Sequence, residues 1–180
     1  MGKIDDISLQ RIQTLHPAER TSVEAMYREA CSKLSGNATL RLAYTLRTFS
    51  EQDGLYAQGR TVLFDKAGNR LGIVTNAKGG QSYHNYGLAI DIVLLIDNDN
   101  NGTYEAASWH SAKDHDNDKV ADWMEVVAVF KKYGWAWGGD WKGKLVDKPH
   151  FEKTHGLTVK ECLARHNKKD FVPGTTYIRL

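Results

Sequence analysis

Apolar side chains at the start of the chain recur at helical spacing. Ile4, Ile7, Ile12 and Leu15 predict a short first helix. Pro17 then opens a second, in which Val23, Met26, Tyr27, Ala30 and Leu34 share a face and Gly36 supplies the stop. Over residues 39–48 the period changes to two. Leu40, Leu42, Tyr44 and Leu46 alternate with Thr39, Arg41, Ala43, Thr45 and Arg47, which predicts a half-buried strand with Arg47 pointing away from the core-facing row. Ser50 and Asp53 predict a capped helix start that Gly59 closes, and Lys66 to Asn69 and Gly79-Gly80 read as a turn and a loop. A second strand is predicted over Leu88 to Ile96. There Leu88, Ile90, Ile92 and Leu94 form one row, and Asp91 sits on the opposite row beside Gly87 and Ala89.

The third quarter of the chain returns to helical spacing. Val120, Trp123, Met124, Val127 and Phe130 predict a core helix that Gly134 ends. GWAWGGDW, Gly134 to Trp141, holds too much glycine for a regular element, and VDKPHFEK reads as a turn entering a strand. A last helix is expected over Leu157 to His166, followed by a polar tail over 167–180. No repeat or low-complexity linker divides the sequence, so one domain over 1–180, with its core at about 9–166, is the expectation.

Composition narrows the class without naming a function. Apolar residues make up 41% and charged residues 26%, the balance of a folded globular chain. Basic residues number 24 and acidic residues 22, so the net charge of +2 gives no field that would draw the protein to nucleic acid. Cys31 and Cys162 lack metal or disulfide-scaffold spacing and read as buried thiols in a reducing compartment. The first twenty residues hold no apolar stretch of signal-peptide length, and no later stretch is long enough for a bilayer. Synthesis without a signal peptide, in the cytoplasm, and no membrane insertion are expected.

The chemistry concentrates in two places. QSYHNYGLAID, Gln81 to Asp91, sets His84 in a loop seven residues before Asp91, on a strand face that Gly87 and Ala89 leave clear. Both can converge on one ion. Hydrolysis of an amide at neutral pH needs an activated water, and a zinc ion held by three protein ligands supplies one. Ser82, His84, Gly87, Ala89 and Asp91 match SxHxxGxAxD, and Asp147, Pro149, His150 and Phe151 match DxPHF. In these motifs the chain resembles the zinc peptidases that include D-alanyl-D-alanine carboxypeptidases, D-alanyl-D-alanine dipeptidases and L-alanyl-D-glutamate endopeptidases. The likeness runs from about Leu9 to Glu152, through LRTFSEQDGLYAQGR and GWAWGGDW, and the form of the second motif is that of the L-alanyl-D-glutamate branch.

That resemblance implies an α+β fold with a small, mainly antiparallel sheet flanked by helices, of the Hedgehog/DD-peptidase type. It implies one catalytic zinc on His84, Asp91 and His150, Asp147 as general base, and Arg47 as the cation facing the developing oxyanion. Asp147 lies three positions before His150, so the two would face opposite sides of a straight strand, and a bend at Lys148-Pro149 is required. Ser82, Gln52 and Trp137 are expected to contact substrate or support the site, with packing or capping as the plain alternative. Trp135, Trp137 and Trp141 either line a groove or pack over the strand that follows Asp147. The other histidines default to surface or capping roles.

The implied partner is the peptidoglycan stem peptide, cut between L-alanine and D-glutamate by a monomer. A D-alanyl-D-alanine carboxypeptidase is the alternative enzyme, and a zinc-containing wall-binding module without catalysis is the alternative outside enzymes. A substrate outside the membrane and a missing signal peptide are reconciled by a phage or prophage endolysin that reaches the wall after release. Separately, Asp97, Asp99, Asn101 and Gly102 copy the first half of a calcium loop, and Asp114, Asp116 and Asp118 lie a little downstream. The twelfth position from Asp97 is Ser108 rather than Glu, so a solvated Asn-rich turn is the expectation there and Ca2+ the alternative.

Overall fold

Strand β2 (Ala89–Ile96) organises the sheet, because apart from Asp91 every one of its residues is buried. We describe residues 3–143 and 146–180 from a computed structural model. Strand β1 (Ala38–Tyr44) runs antiparallel along one edge of β2. The other edge is shared by β3 (Ala106–Ser108), opposite Leu94 to Ile96, and β5 (His150–Glu152), opposite Ala89 to Asp91. Beyond β5 lies β4 (Ala136–Trp137), so the order is β1-β2-β5-β4 with β3 off this path. The fold class is the expected α+β, with five α-helices and a small antiparallel sheet among the described residues.

Two compact units make up the chain: Met1–Thr45 with Ala89–Lys153, and Leu46–Leu88 with Thr154–Leu180. In the first, helices α1 (Asp6–Ile12), α2 (Arg20–Lys33) and α4 (Asp122–Lys132) join the sheet. Their apolar faces meet the row Leu40, Leu42, Ile90, Ile92 and Leu94 in one core that includes Met26, Trp123, Phe130 and Phe151. The opposite face of β1 and β2 is covered too, where Ala43, Val93 and Leu95 cluster with Tyr104. The second unit has helices α3 (Phe49–Ala57) and α5 (Val159–Asn167) and its own core of Tyr86, Leu88, Cys162 and Ile178.

Several local expectations are corrected. The alternation in β1 stops at a bulge: Leu42 pairs with Ile92 but Tyr44 pairs with Asp91, so Ala43 is the extra residue. Tyr44 and Leu46 therefore lie exposed, at 58% and 37%, instead of continuing the core row. Helix α3 begins two residues earlier than Ser50 implied, because Thr48 and Glu51 form a reciprocal capping box that satisfies first-turn N–H groups. GWAWGGDW does contribute regular structure, namely β4 and a one-turn 3-10 helix at Gly138–Asp140. Met124 in α4 is exposed rather than part of the core. Within 167–180, Ile178 is buried and Phe171 bridges to it.

Candidate metal centre and active site

Strand β5 explains how His150 is aimed. Phe151 is fully buried, with its ring 4.6 Å from that of Phe130 and 6.5 Å from that of Trp137. Side chains alternate along a strand, so burying Phe151 on one face sends His150 and Glu152 to the other. In register, His150 stands opposite Asp91 and Glu152 opposite Ala89, whose methyl group leaves room for the longer chains. One ring nitrogen, Nδ1, lies 3.1 Å from Asp91 Oδ1, and Nε2 lies 3.2 Å from Glu152 Oε2. Burial disfavours the charged ring, but the hydrogen bonds and charges of Asp91 and Glu152 outweigh it and raise the His150 pKa to about 9. Two carboxylates on one buried imidazole make a setting suited to a cation. Glu152 went unnoticed in the sequence, where it reads only as the next polar position of a strand.

Asp147 is brought near His150 by the bend the spacing required. The His150 N–H donates to the Asp147 carbonyl at 3.2 Å, closing a turn over Lys148 and Pro149. Two neighbours fix this turn. The Trp137 indole N–H donates to the Lys148 carbonyl at 2.7 Å, and the Asp147 N–H donates to the Gly138 carbonyl at 3.0 Å. Gly138 must lack a side chain, since a Cβ there would strike the Asp147 carbonyl and crowd His150 Cβ. Trp135 and Trp137 are buried and pack within the core, whereas the Trp141 ring sits 5.3 Å from that of His150. The Asp147 side chain is exposed to solvent.

His84 is positioned by a compact turn in the second unit. Tyr83–Tyr86 forms one 3-10 turn, capped by Ser82 and Asn85 and ended by Gly87 at φ +68°, a left-handed value that a side chain would resist. Ser82 thus has a capping role here, its Oγ accepting from the His84 N–H at 3.4 Å. Asn85 is another residue that sequence reasoning missed. Its Oδ1 accepts from the Gly80 N–H at 2.9 Å, and its Nδ2 donates to the Arg47 carbonyl at 2.9 Å. The Arg47 N–H in turn donates to the His84 carbonyl at 3.0 Å. Gln52 is fully buried; its Oε1 accepts from the Arg47 guanidinium at 2.9 Å while its Nε2 donates to the Ala77 carbonyl at 2.8 Å. Arg47 is therefore held at both its backbone and its head group. The only hint in the sequence was that Asn85 lies inside QSYHNYGLAID.

Asp91 and His150 face each other within the first unit, and His84 is set by its own turn in the second. Two imidazoles and one carboxylate suit zinc and leave positions for water and substrate. The buried ring between two carboxylates is the observation that fits the group. The Asp97 loop closes on itself: Asp97 accepts from the N–H groups of Asn101 and Gly102, and Asn101 from that of Thr103. Asp97, Asp99 and Glu105 also offer oxygens within 4.8 Å of one another. Cys31 and Cys162 are buried, and burial pushes both thiols up to about 11, which disfavours the thiolate. Among the described residues no helix is long and apolar enough to cross a membrane.

Asp91 and His150, with His84, fall in a peptidase-type stretch of sequence. A family model described as D-alanyl-D-alanine carboxypeptidase matches residues 75–153, which span His84, Asp91 and His150. Over 138 residues the chain is 41% identical to the peptidoglycan L-alanyl-D-glutamate endopeptidase CwlK of Bacillus subtilis (strain 168), covering 77% of this chain and 72% of the relative. The chain belongs to this peptidase family.

Proposed function

We propose that the protein is a zinc-dependent peptidoglycan peptidase that cuts the bond between L-alanine and D-glutamate in the stem peptide, with residues 1–180 acting as one monomeric catalytic domain. The observation that carries this reading is the buried His150 ring held between the carboxylates of Asp91 and Glu152, in a stretch that the peptidase family model matches. The relative's named activity, over most of both chains, supports the bond choice. His84, Asp91 and His150 would hold the metal. When bound, zinc supplies Lewis acidity toward water and the scissile carbonyl.

The protein's own groups do the rest. Asp147 takes a proton from the attacking water and passes it to the leaving nitrogen. Its exposure keeps it in exchange with solvent. Arg47, held by Gln52, faces the carbonyl oxygen as it becomes anionic. Loss of one such stabiliser typically costs about 3 to 4 kcal/mol, or roughly 100- to 1,000-fold in rate. Glu152 orients the His150 ring through Nε2, the role that carboxylates commonly play behind metal-binding histidines. Trp137 and Ser82 hold the two turns that carry Asp147 and His84. An endolysin that meets the wall after release fits this activity.

Mass spectrometry of muropeptides digested by the zinc-loaded protein tests the bond choice. New amino-terminal D-glutamate supports the proposal. Release of single D-alanine would favour the carboxypeptidase reading, to which the description of the family model points.

A further inference from the structure

A group of acids that the proposed metal ligands do not include lies in the loop that leads into α4. From Asp114 the sequence reads DHDNDKVADWME, with Asp114, Asp116, Asp118, Asp122 and Glu125 at positions 1, 3, 5, 9 and 12. Those are the side-chain positions of a twelve-residue calcium loop, in which the last is a glutamate. Helix α4 begins at the ninth position, Asp122. Lys119 occupies the sixth, where such loops use glycine, and adopts φ +79°. Its N–H donates to Asp114 Oδ2 at 2.9 Å.

Glu125 is the observation that points to a ligand. Its Oε2 is sealed from solvent and has no hydrogen-bond partner, yet a Glu125 carboxylate oxygen lies within 4.8 Å of oxygens of Asp116 and Asp118. Beside it, Asp122 is fully buried and offers an oxygen within 4.8 Å of Asp114 and Asp116, and its carboxylate accepts from the His115 N–H at 3.2 and 3.4 Å. Burying carboxylates against one another is unfavourable unless a cation joins them. The donors are all oxygens, which selects a hard cation, and a glutamate at the twelfth position suits the larger Ca2+ better than Mg2+.

We propose that Asp114, Asp116, Asp118, Asp122 and Glu125 bind one calcium ion that ties this loop to the first turn of α4. The site is independent of the zinc reading, and its test leaves the zinc in place. Zinc-loaded protein, freed of calcium on a chelating resin and checked for retained zinc, is titrated with CaCl2 by calorimetry and melted with and without the ion. The expected result is one saturable site with Kd of about 10⁻⁵ to 10⁻³ M and a higher Tm with calcium. Glu125→Gln and Asp118→Asn should each weaken binding about tenfold or more with zinc content unchanged. Asp118 is exposed, so its variant gives a reading even if Glu125→Gln fails to fold. Asp97→Asn should change nothing. No saturable uptake up to about 10 mM calcium, a preference for Mg2+, or binding that survives Glu125→Gln and Asp118→Asn but is lost in Asp97→Asn would overturn the proposal.

Discussion

Asp91 Oδ1 lies 3.1 Å from His150 Nδ1, although 59 positions separate the two residues along the chain. The antiparallel register of β2 and β5 makes this contact, since it sets the two residues opposite each other. Everything proposed for the metal depends on that register.

Proton release should accompany zinc binding. His150 carries a raised pKa of about 9 in the metal-free protein, so at pH 7 its ring is protonated and must lose a proton to ligate. Zinc affinity should therefore rise with pH, about tenfold per unit up to roughly pH 9. Calorimetry at pH 7 in buffers of different ionisation enthalpy should report about one proton released by this ring per zinc bound. A buffer-independent heat would contradict the assignment.

Gly138→Ala should damage the site without touching a proposed ligand. The added methyl must displace the Asp147 carbonyl or the His150 side chain. A cost of about 1 to 3 kcal/mol is expected in chemical denaturation, together with reduced peptidase activity. Wild-type stability and activity would mean that the turn relaxes freely.

Gln52→Leu should act on rate rather than on metal. It removes the acceptor for Arg47 and the donor to the Ala77 carbonyl inside a buried site. Lower kcat with unchanged zinc content is expected, and Arg47→Ala should add little further loss, because the two act as a unit. Additive losses in the double variant would separate them.

The chain's legibility in sequence followed the range of each interaction. β2 and α4 were readable because burial imposes a period on neighbouring residues. The two motifs were readable because each holds its residue types at fixed, short spacing. The end of β1 was not, since the bulge at Ala43 leaves the alternation of apolar letters intact while turning Tyr44 and Leu46 outward. Asn85, Glu152 and Gly138 were hidden for another reason: each acts through a partner whose distance the sequence does not give. The acidic loops show the same limit, because counting from Asp97 reaches Ser108 and only counting from Asp114 reaches Glu125.

The acid group before α4 should also set a pH dependence. Burial and neighbouring aspartates raise Asp122 to about 6 and Glu125 to about 7. Folded calcium-free protein then binds more protons than unfolded chain between about pH 4 and 7, so its stability falls as pH rises through that window. Melts in calcium-free buffer should show a falling Tm, and the double variant Asp122→Asn/Glu125→Gln a flatter profile. A Tm that rises across this range in both proteins would be inconsistent with crowded carboxylates.

The most direct test of the central claim is the zinc content of the purified chain, measured by mass spectrometry of the metal after exposure to zinc and gel filtration. About one zinc per chain is predicted for a three-ligand site, and near-complete loss in each of His84→Ala, Asp91→Ala and His150→Ala with the fold retained. A folded wild-type chain that takes up no zinc, or single variants that keep it in full, would contradict the account.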